Sequence, residues 1–158
     1  MTGTSTALRV LPAPHGLTGA CASCSVADEP SKEGALERPR VVRTEDLVRP
    51  EQQTTGMRRE EAFATENLWI GVVRSEPEQL TGWHHHGEWN TYAYVLSGTL
   101  RMESGPAGAD SEEARAGDFL FIPKHAVHRE GSGGPGFEAI AMRVGTGPIL
   151  FNVEGPED

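Results

Sequence analysis

From Leu68 to Val144 the chain is a series of short β-patterned runs punctuated by glycine, proline and aspartate. Turn signals recur roughly every 8–12 residues, a spacing that builds a sandwich or barrel rather than βαβ units. Leu68-Trp69-Ile70-Gly71-Val72-Val73-Arg74 is apolar and β-branched and reads as a buried strand. Thr91–Leu96 is a strand, Ser97-Gly98 its turn, and Thr99–Glu103 the hairpin partner. Glu112–Arg115 is a short polar strand or turn. Phe119–Ile122 is a strand, ended by Pro123, which cannot donate to a sheet ladder. His128 begins the next strand, Gly131–Gly136 is a loop, and Phe137–Val144 is the last long strand. No internal repeat is visible, so one barrel is expected.

Ahead of these strands the signals weaken. Residues 1–40 carry scattered proline and glycine without sustained periodicity and read as a disordered or weakly ordered tail, leaving 41–158 as the folded domain. Val41-Val42-Arg43 reads as a short edge strand, and Arg58–Phe63 as a helical turn. The only cysteines, Cys21 and Cys24, lie in the tail in C-x-x-C spacing, with only His15 nearby as a further ligand. They read as two thiols in a mobile segment, with an accessory metal or disulfide role as the alternative.

With 158 residues the chain suffices for one domain around one core. Its net charge of −9 opposes binding to phosphate backbones, so nucleic acid is not an expected partner. No apolar run approaches the roughly 18 residues of a membrane span, and no apolar core of a secretory signal stands at the N-terminus. A cytoplasmic location is expected.

The chemistry concentrates in two segments. The first contains His84-His85-His86, and the second runs from Gly117 to His128. Side chains alternate across a strand, so His84 and His86 point to one side and His85 to the other. Two imidazoles at that spacing can reach one ion, and His128, from a distant strand, is the natural third ligand. Three histidines on one side of a metal leave positions open for water or substrate, as in a catalytic site. By the same parity Thr91, Ala93 and Val95 share the face of the site, and Tyr92 and Tyr94 are expected in the core. Trp83, Phe119 and Phe121 bracket the ligands. Arg101 reads as an exposed strand residue, with a substrate clamp at the barrel mouth as the alternative. His85 and His125 are expected beside the ligands or on the surface, and Lys124 in solvent.

Together the two segments resemble the paired motifs of the cupin superfamily. His84, His86 and Gly98 fit the first motif, and Gly117, Pro123 and His128 fit the second in register. The resemblance covers roughly residues 65–145. It implies an all-β double-stranded β-helix, or jelly-roll barrel, with a metal near its centre, and it implies a homodimer. The sequence departs from the pattern in several places. Gly82 stands nearer His84 than the motif asks, His125 replaces a glycine, and Ser132 replaces an asparagine. The glutamate ligand of the family falls on Thr91, a poor ligand for a divalent ion; Glu88 could take its place if its loop bent inward.

Three neutral imidazoles leave the charge of a divalent ion uncompensated, so the site favours an anionic partner. The arrangement resembles that of thiol and diketone-cleaving dioxygenases within the cupins. The resemblance therefore implies a mononuclear Fe(II) oxygenase acting on a small anionic metabolite, although imidazole also suits Zn, Ni, Mn and Cu. Two alternatives stay open: a non-catalytic metal- or ligand-binding module for sensing or storage, and a zinc-dependent isomerase or hydrolase. No residue is assigned as a catalytic acid or base.

Overall fold

The computed structural model describes residues 39–156. The chain divides into a unit Met1–Pro39 and a unit Arg40–Asp158, and the strands among the described residues lie in the second. The expected tail, with Cys21 and Cys24, falls outside the described residues.

Nine strands follow in order: β1 (Met57–Ala64), β2 (Leu68–Ser75), β3 (His84–His85), β4 (Asn90–Ser104), β5 (Asp110–Arg115), β6 (Phe119–Ile122), β7 (His128–Gly131), β8 (Phe137–Val144) and β9 (Phe151–Asn152). All pairings are antiparallel. One leaf runs β1-β2-β8-β4-β6 and the other β5-β4-β7-β3-β9, so β4 belongs to both. The result is one curled sheet, the jelly-roll architecture expected from the sequence. No helix among the described residues is long and apolar enough to cross a membrane.

The expected hairpin at Ser97-Gly98 does not form. The strand continues through this point and changes leaf: Asn90–Gly98 pairs with β8, whereas Thr99–Ser104 pairs with β5. A bulge between Val95 and Ser97 bends the chain, and Gly98 follows with φ +74°. A Cβ at Gly98 would lie 1.9 Å from the Gly136 carbonyl oxygen, so only glycine fits.

Two weaker expectations are also corrected. Arg58–Phe63 is not a helical turn but most of β1, laddered to β2 from Met57↔Ser75 to Ala64↔Trp69. An isolated helical turn satisfies few backbone groups, and pairing with β2 satisfies them along the strand. Val41-Val42-Arg43 lies outside any strand; it precedes a 3-10 turn at Thr44–Asp46 and a bridge from Val48 to Glu61.

The core gathers Met57, Trp69, Val73, Ala93, Val95, Leu100, Phe137, Ala139 and Ala141 inside the curl. In β8, Phe137, Ala139, Ala141 and Arg143 point inward, while Ile140, Met142 and Val144 point outward. Tyr92 and Tyr94 are not core residues. They lie on the outer face, where Tyr92 stacks on Phe121 and Tyr94 packs against Phe119. Here the face of the site and the core are the same surface, so opposite parity sends a side chain outside.

Candidate metal centre

His84 lies on β3, His86 follows the end of that strand, and His128 opens β7. β3 and β7 pair through His84↔His128, which brings the two distant segments together. All three imidazoles are buried, at 0%, 1% and 1% exposure. Their ring centroids are separated by 4.4 Å (His84–His128), 5.1 Å (His86–His128) and 5.3 Å (His84–His86). One ring nitrogen from each lies within 4.8 Å of the other two.

The other nitrogens fix which one that is. Nδ1 of His84 lies 3.0 Å from the Gly82 carbonyl, that of His86 3.2 Å from the Ile149 carbonyl, and that of His128 2.8 Å from the Ala126 carbonyl. A carbonyl only accepts, so each Nδ1 carries the proton and each Nε2 keeps its lone pair. Nε2 of His128 is buried with no hydrogen-bond partner among the described residues. A buried acceptor left unsatisfied is costly, and a cation at that point would relieve it. Burial pulls all three imidazoles below their ordinary value, His84 to about 4, and Arg59 adds to the effect at each. The rings are therefore neutral at pH 7, the form that binds metals.

The surroundings differ from the sequence expectation at the carboxylate. Glu88 is exposed, and its carboxylate meets Lys124 Nζ at 3.0 Å and His125 Nε2 at 2.6 Å. Thr91 lines the interior, with its Oγ1 buried and without a hydrogen-bond partner among the described residues. A different carboxylate approaches the cluster: Glu130 Oε1 lies 3.9 Å from His84 Nε2 and 3.2 Å from Arg59 Nη2. Burial pushes the Glu130 carboxyl up, but its electrostatic coupling to His84 and to the Arg59 guanidinium holds it below the ordinary carboxyl value. Arg59 Nη2 also stands 3.4 Å from His84 Nε2. Arg143 is buried too; burial and Arg59 lower it to about 9, so it remains a cation at neutral pH.

Sequence reasoning missed Glu130, Arg59 and Arg143. Strand parity from His128 would have found Glu130, two residues on along β7. The same rule applied to β8 would have found Arg143, in phase with Ala139 and Ala141. Arg59 lay within the segment read as helical.

The weaker candidates stand away from the cluster. Arg101 is exposed and pairs with the buried Glu103 at 2.8 Å, Trp83 lies under the Arg129 guanidinium, and His85 stacks on Phe151. Beside the histidines is a cavity of about 20 Å³ whose wall includes His86, Thr91, Glu130 and Arg143 among alanines and other apolar side chains.

A curled antiparallel sheet enclosing a three-histidine cluster defines a double-stranded β-helix protein. Residues 71–142 match the family model described as "Cupin domain", in keeping with the cupin-like motifs and double-stranded β-helix fold of this stretch. Among solved structures it is similar to an uncharacterized conserved Klebsiella pneumoniae protein with a double-stranded beta-helix domain. The TM-score is 0.59 at 19% identity, covering 74% of this chain and 99% of that one. The polyketide cyclase RemF from Streptomyces resistomycificus gives a TM-score of 0.62 at 20% identity, over 77% of this chain and 89% of that one. A cupin-like protein from Thermotoga maritima gives 0.55 at 21% identity, over 68% and 86%. These likenesses establish the fold. Comparison with curated proteins finds no match.

Proposed function

We propose that this protein holds one divalent metal ion on His84, His86 and His128 and acts there as an oxygenase on a small anionic metabolite. The observation that carries the reading is the set of three buried Nε2 lone pairs, turned together because each Nδ1 donates to a backbone carbonyl. Bound there, Fe(II) would supply redox chemistry and open positions for dioxygen and a substrate anion. The chain's own residues set the conditions. Gly82, Ala126 and Ile149 hold the ligand tautomers. Ala93, Ala139, Ala141 and Leu100 keep bulk water from the cavity. Neutral imidazoles leave the ionic charge for an anion to balance. RemF, named as a polyketide cyclase, is an enzyme on this fold, which is in keeping with a catalytic reading.

The test is purification under anaerobic conditions, elemental analysis, and dioxygen uptake with a panel of small thiolate and β-dicarbonyl anions. Stoichiometric iron with substrate-dependent uptake is expected. Stoichiometric zinc, with a rate that rises as bound water deprotonates, would instead indicate a hydrolase or isomerase. The small volume of the cavity favours one second reading, a non-catalytic binding module, in which ligand binds without turnover. A cytoplasmic location belongs to the same proposal. So does a homodimer, joined through the exposed apolar face of β2, β8, β4 and β6.

A further inference from the structure

The barrel interior holds two arginines and one carboxylate beside the histidines. Arg59 gives one nitrogen to Glu130 at 3.2 Å, while its Nε and Nη1 have no hydrogen-bond partner among the described residues, and it does not line the cavity beside His86. Arg143, 4% exposed, makes no ion pair among the described residues, and its Nε has no hydrogen-bond partner. Its guanidinium carbon lies 4.9 Å from the Trp69 ring centroid, a contact that offsets only part of what a buried cation loses on leaving water. Directly across the ladder from Arg143 is Thr91, whose buried hydroxyl is likewise unpartnered. Both side chains line the cavity that His86 and Glu130 also border.

We propose that Arg143 and Thr91 form the anchor for a carboxylate group of the ligand taken by the three-histidine centre. This rests on the metal reading above and names the ligand class for that site. A guanidinium and a hydroxyl can both donate to one carboxylate, and the guanidinium fork matches its geometry. The cavity of about 20 Å³ has room for little beyond one water, so only the smallest anionic head fits against Arg143 and Thr91, and a ring is excluded. The remaining wall is apolar, with Ala93, Ala139 and Ala141 beside larger side chains such as Leu100 and Phe137. The ligand is therefore a short-chain carboxylic acid with a second oxygen or sulfur donor for the metal.

The test uses the full chain loaded with Co(II), whose visible spectrum reports changes in coordination. Formate and acetate are the probes, formamide and acetamide the uncharged controls, and azide the anion small enough to need only the metal. Wild type is expected to bind the carboxylates and ignore the amides. Arg143→Met is expected to bind cobalt with unchanged stoichiometry and azide within a few-fold, but to lose carboxylate affinity by about 30-fold or more. Arg143→Lys should recover part of that loss. Thr91→Val should lose about 3- to 10-fold. A merely structural arginine would lower Tm when replaced. This one, unpaired in the absence of ligand, should leave Tm unchanged or raised in Arg143→Met. Equal carboxylate affinity in wild type, Arg143→Met and Thr91→Val, all cobalt-loaded, would overturn the anchor and leave the metal reading intact. Failure of wild type to bind cobalt would overturn both.

Discussion

An imidazole has two nitrogens, and the partner of one decides what the other can do. At His84, His86 and His128 a backbone carbonyl accepts a hydrogen bond from Nδ1–H, so the Nε2 lone pairs are left facing one buried space. The fourth position of the family pattern is Thr91, buried and without a hydrogen-bond partner among the described residues. Thr91→Glu should therefore place a carboxylate near the cluster. The expected outcome is tighter metal binding, by about 10-fold or more, together with weaker binding of anionic ligands, since the added charge neutralises the ion. Competition with a chelator of known affinity measures the first and azide titration the second. Unchanged metal affinity would mean that Thr91 does not face the ion. The ligand pair His84 and His86 was legible because parity on a strand depends only on counting. Glu130 follows from the same counting along β7, but a single glutamate in a polar stretch gives no reason to count until the fold places that strand inside.

At the scale of elements, β4 joins the two leaves of the sheet. Local sequence could not separate a turn from a bend at Ser97-Gly98, because both use glycine with positive φ. What decides is the Gly136 carbonyl, far along the chain, against which Gly98 packs. Gly98→Ala should destabilise the fold by roughly 2–4 kcal/mol, from the clash and the left-handed backbone together, measured by urea unfolding. Loss of less than about 1 kcal/mol would show that the corner relaxes. β1 was illegible for a different reason. Its charged residues hide the period-two pattern, and only the ladder with β2 reveals it. The outer face shows two rows across four strands: Phe121, Tyr92, Met142, Ile70 and Phe119, Tyr94, Ile140, Val72. Phe119 is 77% exposed and Phe121 54%. A contiguous apolar face of this kind marks an interaction surface. With a second copy as its occupant, wild type should sediment as a dimer and Phe119→Asp as a monomer with its metal content unchanged. A monomeric wild type at micromolar concentration would remove the dimer.

The whole molecule couples its stability to its histidines. In the unfolded chain an imidazole titrates near 6.5, whereas in the fold burial holds all three lower, His84 at about 4. Below pH 6.5 the unfolded state takes up protons that the folded state refuses. Stability of the metal-free protein should therefore be nearly flat above 6.5 and fall as pH drops from 6.5 toward 4. The slope is about 1.4 kcal/mol per pH unit for each histidine involved. Thermal melting across that range checks it, and a Tm that rises on acidification would contradict the burial of neutral rings. Metal should raise Tm at pH 7, by an amount that grows with the logarithm of its affinity and concentration. The barrel architecture was legible because turn signals and strand lengths are local properties. The charges that line its interior were not, since which polar residues face inward depends on how the sheet curls.

The central claim is that three imidazoles from β3, its following turn and β7 grip one cation. X-ray absorption on the metal-loaded protein, with His86→Ala beside it, tests that claim most directly. One metal per chain is expected, with at least three nitrogen scatterers at about 2.0–2.1 Å in wild type and binding lost in the variant. Full metal content in His86→Ala, or a wild-type spectrum without imidazole scattering, would contradict it.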